Sequence, residues 1–137
     1  TETGRRVPVH CTSSGKVLLA YLPEARRQAV LRAAPLVALT PHTITDRSQL
    51  AAELDRVRRR GWAEAVNERE VGVASIAAPV RDIGGEVIAA ISIGVPLARC
   101  SVMALRRLAP VIMEAAEAAS RRLGWSGDLT PQQRKEG

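Results

Sequence analysis

The sequence predicts an α+β domain in which an antiparallel sheet of about three strands is flanked by about four helices. Apolar residues have helical spacing up to residue 60, a two-residue alternation replaces it over 62–95, and helical spacing returns from residue 101. Helices and strands that occur in separate blocks are typical of α+β folds, whereas α/β folds alternate them.

The first two predicted helices follow a short extended segment, residues 7–11. One of the three hydroxyl residues at 12–14 can cap a helix that ends by Leu22, because Pro23 follows and suits the first position of a new helix. The second helix is predicted over 23–33. Its buried positions are expected to be Val30 and Leu31.

The third helix, predicted over 47–60, has the clearest local signals. Residues 35–45 have no helical period and are expected to form a surface connection. Asp46 with Gln49 is a capping pair of the D-x-x-Q kind, and Gly61 stands where a helix-ending glycine belongs. The buried stripe of this helix is predicted to be Leu50, Leu54 and Val57.

Three strands are predicted next, at 62–67, 73–81 and 86–95, with turn residues at 82–85 joining the last two. In the third strand, alternation places Val87, Ala89, Ile91 and Ile93 on one face and Ile88, Ala90, Ser92 and Gly94 on the other. The second face ends in small and polar residues. It has room either for a ligand or for a closely packed helix.

The last predicted helix runs from about Ser101 to Leu123 and must kink or restart at Pro110. Its apolar stripe is predicted to be Leu105, Leu108, Ile112, Ala115 and Ala119. Residues 124–137 are polar and are expected to be a mobile tail. Residues 1–123 are therefore predicted to be one domain.

The net charge of +6 and the pI near 10.6 are compatible with acidic ligands or nucleic acid. The arginine pairs and clusters, however, fall on separate predicted helices, and no aromatic residues lie among them for base stacking. We interpret them as solvated helix faces. The sequence therefore does not predict a nucleic-acid groove in this chain.

Two cysteines, Cys11 and Cys100, are too few for a disulfide framework and are expected to be buried thiols in a reducing cytoplasm. No uncharged apolar run approaches the roughly 18 residues of a membrane span, and no signal peptide is recognisable. The first residue is Thr1, which suggests a fragment of a longer chain or a processed protein.

The segment Thr12–Lys16 is the sharpest local signal for a ligand. N–H groups at a helix start have no intrahelical partner, and the helix dipole favours negative charge there. Two serine hydroxyls and Gly15 would let a carboxylate approach closely. A plain helix cap explains the same residues. A phosphate-binding P-loop is excluded, because His10 stands where its first glycine is required and no hydroxyl residue follows Lys16.

Catalytic and metal sites have little support in the sequence. His10, Cys11 and Ser14 are candidates for a nucleophile and a base, but sequence neighbours rarely have the required geometry. A metal site that adds His42 to His10 and Cys11 lacks the paired spacing of structural zinc sites. The glutamates at 64, 68 and 70 are interpreted as solvated charges at a strand end. No enzyme activity, metal or cofactor is predicted.

Four segments in series resemble the effector-binding domain of the IclR family, named for the isocitrate lyase regulator. They are V-P-V-H-C-T-S-S-G-K-V-L-L-A-Y-L-P at 7–23, T-P-H-T-I-T-D at 40–46, E-L-D-R-V-R-R-R-G-W-A at 53–63 and the hairpin at 72–96. The resemblance covers about residues 5–123, in order and at the expected spacings.

The resemblance implies a GAF-like sensor attached to an N-terminal winged-helix DNA-binding domain, in a bacterial regulator that forms dimers or tetramers. It implies an effector that is a small metabolite, often an organic or aromatic acid. The positions that correspond to the family's ligand pocket are Ser13, Ser14, Gly15, Ala65, Ser75, Ser92 and Gly94.

Three of these positions depart from the pattern of members that bind small keto acids. Such members tend to have an acidic residue in place of Ala65, a cysteine in place of Ser75 and often a serine in place of Gly94. Side-chain hydrogen-bonding groups are thus lost at two of the three positions. We expect a larger or less polar ligand.

The resemblance also implies that the sensor domain is incomplete at its N-terminus, so that DNA would be bound only through a domain outside this chain. A sheet of three strands would then expose an unpaired edge that invites association. Three functions stay open at this point: a ligand-responsive sensor, an oligomerisation module without a ligand, and an enzyme that uses Cys11 or Ser14.

Overall fold

The computed structural model describes residues 9–127. Its elements, in chain order, are α1 (Ser13–Ala20), α2 (Glu24–Ala33), α3 (Arg47–Arg60), β1 (Ala63–Val66), β2 (Val73–Arg81), β3 (Val87–Pro96), α4 (Val102–Arg106) and α5 (Ala109–Arg122). This is the predicted α+β order of helices, then three strands, then helices. Within the described range no helix is long and apolar enough to cross a membrane.

The three strands form one antiparallel sheet in the order β1-β2-β3. Helices α1 and α3 lie on one side of it with α2 beyond them, and α4 and α5 lie on the other. Because successive strand residues point to opposite faces, β2 supplies Ala77 to the α1 side and Ile76 and Ala78 to the α5 side. The sheet therefore separates two apolar cores.

Local sequence signals placed α3 correctly. The Asp46 side chain accepts hydrogen bonds from the N–H groups of Ser48 and Gln49, and Gly61 ends the helix in the left-handed conformation with φ of 87°. The predicted stripe of α3 is fully buried, at Leu50, Leu54 and Val57. Its cap, stripe and terminator are all local features, which is why the sequence alone was sufficient here.

The predicted last helix is two helices, because the chain restarts at Ala109 with Pro110 in the first turn of α5. The predicted stripe is therefore partly wrong. Leu105 and Ile112 are buried, whereas Leu108 is 36% exposed and Ala115 is exposed. The restart changes the helical phase. The buried residues of α5 are Ala109, Ile112, Ala116 and Ser120.

A β-bulge changes the predicted faces of β3. Arg81 pairs with Val87 and Val80 with Ala89, so Ile88 is an extra residue between them. Val87 consequently packs in the core under α1 and α3, and not on the same side as Ile91 as the simple alternation predicted. From Ala89 onwards the predicted alternation is confirmed, with the small residues facing α1.

The free edge of the sheet, the two cysteines and the C-terminal segment can also be compared with the predictions. Among the described residues β3 is hydrogen-bonded to β2 alone, so its other edge is unpaired. Cys11 is buried as predicted, but Cys100 is only half-buried. The predicted tail begins with residues 124–127, where the Trp125 N–H donates to the Ser120 carbonyl at 3.1 Å. Residues 128–137 lie outside the described range.

Candidate functional site

A cavity of about 610 Å³ lies between the start of α1, the α1-facing side of the sheet and the segment that follows β1. The α1 wall comprises Thr12, Ser13, Ser14, Gly15 and Leu18 together with Val9 and Cys11 just before it. The sheet wall comprises Ala65, Val73, Ser75, Ser92 and Gly94. The third wall is the charged segment Glu68, Arg69 and Glu70.

The first turn of α1 lines this cavity with backbone N–H groups that have no intrahelical acceptor. Thr12 is the N-cap, with φ of −118° and ψ of 147°, and its hydroxyl oxygen accepts from the Gly15 N–H at 3.1 Å. The first N–H groups of a helix have no carbonyl four residues back, so those of Ser13 and Ser14 lack an intrahelical acceptor. The helix dipole adds a partial positive charge at the same place. An anion is favoured at this wall.

Gly15 has a packing role that its position in the motif did not reveal. A Cβ atom placed on it would lie 2.5 Å from the Val9 Cα and 2.6 Å from the Val9 carbonyl oxygen. The chain before α1 therefore crosses directly over the first turn, and only glycine leaves room for it. Gly15 lines the cavity because this crossing closes one end of it.

The sheet wall is centred on one cross-strand row. Ala65 of β1 lies opposite Ser75 of β2, and Ser75 lies opposite Gly94 of β3. Ser92 lies one row further along β3, opposite Ala77. Side chains in such rows are about 4.5–5.5 Å apart at Cβ. Three strands thus place small residues side by side, and the Ser75 and Ser92 hydroxyls are the polar groups of that surface.

The charged segment after β1 is held from behind by two buried threonines. The Thr40 hydroxyl donates to the Asn67 carbonyl at 2.5 Å, and the Thr43 hydroxyl donates to the Glu68 carbonyl at 2.5 Å. Asn67 itself has a positive φ of 58°, which turns the chain at this point. The connection at 35–45, predicted to be a surface segment, therefore also anchors a wall of the cavity.

A buried ion pair lies behind the same wall. The Lys16 Nζ donates to Glu68 Oε2 at 2.8 Å and to the Glu64 carbonyl at 2.8 Å, and the lysine is only 1% exposed. Glu68 is 9% exposed, so its interpretation as a solvated charge was wrong. Glu64 forms a two-pronged ion pair with Arg106 at 2.8 and 3.0 Å. Of the three glutamates, Glu70 is the exposed one.

The nucleophile candidates are poorly placed for catalysis. Burial raises the pKa of the Cys11 thiol, although the nearby positive charge of Arg69 opposes this effect. The His10 Nε2 atom is hydrogen-bonded to the Val37 carbonyl oxygen at 2.9 Å. Among residues 9–127 no three His, Cys, Asp or Glu side chains come together as metal ligands would.

All seven positions inferred from the family resemblance line this one cavity. Sequence reasoning missed the charged wall, Glu68 to Glu70, and the buried Lys16 behind it. One signal was available. Lys16 is the only charged residue between Thr12 and Leu22, and a lone lysine in an otherwise uncharged amphipathic helix indicates a buried partner.

Comparisons with known proteins give a matching family model and several relatives of similar sequence. The family model described as "Bacterial transcriptional regulator IclR C-terminal" matches residues 1–121. The probable transcriptional regulator SauR of Cupriavidus necator is 40% identical over 116 residues, which are 85% of this chain and 46% of that protein. The chain spans about half the length of the curated relatives it matches.

Two solved structures have a similar fold. The C-terminal domain of the Escherichia coli regulator KdgR is 37% identical, with a TM-score of 0.81 over 89% of this chain and 74% of that one. The inducer-binding domain of a double mutant of the Acinetobacter transcription factor PobR is 33% identical, with a TM-score of 0.79 over 87% of this chain and 69% of that one. It was solved as a complex with 3-hydroxybenzoic acid.

Proposed function

Since this chain belongs to the IclR family of bacterial transcriptional regulators, we propose that it is the effector-sensing domain of such a regulator and that its cavity holds the effector, a small organic or aromatic acid. The observation that carries the proposal is the convergence of α1 and all three strands on one cavity of about 610 Å³. Small-molecule sites are typically about 300–1,000 Å³.

The chemistry of the walls supports an acid. The start of α1 offers N–H groups without an intrahelical acceptor and the positive end of the helix dipole, and Ser13 and Ser14 add hydroxyl donors. Leu18, Ala65 and Val73 supply apolar surface for the rest of the molecule. The PobR domain, a relative of the same fold, was solved with an aromatic acid, which agrees with this ligand class.

The response to the effector would be a population shift. Helix α1 packs on β1, β2, β3 and α3, so a ligand between its first turn and the sheet favours one placement of α1 over others. Differential affinity for the two arrangements is what couples the cavity to a distant site. We propose that the complete regulator is a cytoplasmic homodimer or homotetramer that binds DNA through a winged helix outside this chain, and that residues 1–123 are its sensor.

We assign no catalytic activity to the cavity. Burial raises the pKa of the Cys11 thiol, and the His10 Nε2 atom is hydrogen-bonded to the Val37 carbonyl oxygen. A thiol with a raised pKa forms less of the nucleophilic thiolate.

Thermal denaturation of the protein at its full natural length, with a panel of aromatic and keto acids, tests the proposal. At least one acid should raise the melting temperature. Ser14→Leu and Ser92→Leu, which fill the cavity from opposite walls, should abolish that rise. Ala118→Leu, on the exposed face of α5, is the control of equal size and should preserve it.

Two results would contradict the proposal. One is that no acid in the panel stabilises the protein. The other is that both leucine variants respond as the wild type does. If light scattering then shows the same oligomer with and without acids, the oligomerisation module becomes the better interpretation.

A further inference from the structure

The two oxygens of the Glu68 carboxylate have unequal surroundings. Oε2 accepts from the Lys16 Nζ at 2.8 Å and from the Val66 N–H at 3.4 Å. Oε1 is buried and accepts nothing. Among the described residues it is the one buried side-chain nitrogen or oxygen atom without a hydrogen-bond partner. This unsatisfied oxygen belongs to a residue of the cavity wall.

A buried acceptor without a hydrogen bond destabilises the folded state, and a charged one does so more strongly. Native proteins keep few such atoms, and each requires an explanation. In this structure the Lys16 ammonium donates to Oε2 and to the Glu64 carbonyl oxygen, and it makes no hydrogen bond to Oε1. A donor from within the cavity would remove this cost.

We propose that Glu68 is a specificity-determining residue of the cavity, and that it accepts a hydrogen bond from a hydroxyl group of the effector. This inference rests on the proposed function and narrows its ligand class to hydroxylated organic acids. The terminal torsion of glutamate is soft, so a small rotation can turn an oxygen towards the cavity while Lys16 follows.

The charges around Glu68 decide which donor it takes. A ligand carboxylate is repelled by Glu68 and is attracted to the start of α1, which orients the molecule. A ligand ammonium would approach the Lys16 ammonium, 2.8 Å from the same carboxylate, and the nearby positive charge of Arg69. A neutral hydroxyl meets neither repulsion. The acid group therefore lies at α1 and the hydroxyl group at Glu68.

Calorimetric titration of the full natural protein with matched pairs of acids tests this. The pairs are benzoate against 3- and 4-hydroxybenzoate, and propanoate against lactate. One hydroxylated acid should bind at least about tenfold more tightly than its parent, the effect of one hydrogen bond to a charged acceptor. Glu68→Gln should reduce the ratio of the two affinities to near one. The amide oxygen of the glutamine stays with Lys16, so the group that faces the cavity is an N–H donor and not an acceptor.

Glu86→Gln is the matched control, since it removes the same charge at an exposed position outside the cavity. It should leave the ratio unchanged. If Glu68→Gln does not fold, the double variant Lys16→Met/Glu68→Gln removes both buried charges together and should show the same loss of preference.

The outcomes separate the two proposals. If no acid binds, the proposed function fails and this inference fails with it. If acids bind but each hydroxylated acid and its parent bind equally, the inference alone is overturned. The inference is likewise overturned if the preference for the hydroxylated acid survives in the Glu68 variants, or if Glu86→Gln removes it equally.

Discussion

The Lys16 ammonium and the Glu68 carboxylate form a buried ion pair 2.8 Å long, between the first turn of α1 and the segment after β1. The two residues are 52 positions apart in the chain. Their side chains are 1% and 11% exposed, so water screens the pair little. The pair joins two walls of the cavity, and this makes it relevant to both stability and binding.

Lys16→Met should be strongly destabilising. It leaves the Glu68 carboxylate buried without a counter-charge, which typically costs about 3–5 kcal/mol. The double variant Lys16→Met/Glu68→Gln removes both charges and should be considerably more stable than the single one. Urea unfolding of the wild type and the two variants measures these differences in stability.

The exposed pair Arg121–Glu117 is the comparison, because Arg121→Ala should cost less than about 0.5 kcal/mol. Similar losses for Lys16→Met and Arg121→Ala would show that the buried pair is not coupled.

Gly15→Ala should destabilise the protein, contrary to the usual effect in helices. Alanine normally stabilises a helix relative to glycine by up to about 1 kcal/mol. Here its Cβ would lie 2.5 Å from the Val9 Cα, and backbone cannot move aside cheaply. We expect a loss of about 1–3 kcal/mol in unfolding experiments.

Gly94→Ala is the matched control for that variant. A Cβ at Gly94 meets nothing within 4 Å, so its stability should stay within about 0.5 kcal/mol of the wild type. A stabilised Gly15→Ala protein would mean that the chain before α1 does not cross over the first turn.

How much the sequence revealed depended on the range of the interactions. The ends and buried stripe of α3 followed from residues within one helix, at Asp46, Gly61 and the positions between them. The face of Val87 did not, because the bulge at Ile88 is defined by pairing with β2. Leu108 was misplaced because the break before α5 shifts the helical phase.

The residues of the site also divide into those that the sequence predicted and those that it did not. The cross-strand row of Ala65, Ser75 and Gly94 was reached through the family resemblance, and the strand register brings its members together. The charged wall was not predicted, because its position depends on hydroxyls of Thr40 and Thr43 that lie more than twenty residues away in the chain. Hydrogen bonds between distant segments leave no periodic pattern in a sequence.

Asp46 should make stability depend on pH on the acid side. Hydrogen bonds from the Ser48 hydroxyl and from the N–H groups of Gln49 and Ser48 hold the pKa of this carboxyl below its ordinary value of 3.8. A folded pKa below the unfolded one contributes stability that is present above about pH 4 and is lost as the pH falls through the folded pKa. Asp46→Asn keeps a capping oxygen but does not titrate.

Melting temperatures at pH 6 and pH 3 measure this contribution. The drop between the two pH values should be smaller for Asp46→Asn than for the wild type, although other carboxyl groups titrate equally in both proteins. An identical drop would show that the cap of α3 does not stabilise the charged form of Asp46.

The two thiols should differ in reactivity. Cys11 is fully buried and burial raises its pKa, so little of the reactive thiolate forms near neutral pH. Cys100 is half-buried. Mass spectrometry after timed treatment with iodoacetamide should show Cys100 modified at least about tenfold faster. Because Cys11 lines the cavity, a bound acid should slow its modification further and leave Cys100 unaffected. Equal rates, or protection of Cys100 instead, would contradict this.

Thr43→Val should weaken both the fold and effector binding. The Thr43 hydroxyl donates to the Glu68 carbonyl at 2.5 Å and accepts from the N–H groups of Leu39 and Thr40 at 3.1 and 3.0 Å. Valine has the same shape without the hydroxyl, and the unsatisfied groups should cost about 1–3 kcal/mol in unfolding. Without the Thr43 hydroxyl, the segment at Glu68 that forms one wall of the cavity is no longer held in place. The affinity for an effector acid should therefore fall about tenfold.

Thr43→Ser separates this effect from packing. It retains the hydroxyl and loses only a methyl group, so its stability should fall by no more than about 1 kcal/mol, near the contribution of one buried methyl group. Its affinity for the acid should be that of the wild type, because the Glu68 carbonyl is still held. If Thr43→Val binds the acid as tightly as Thr43→Ser does, the threonine stabilises the turn at 39–43 but does not position the cavity wall.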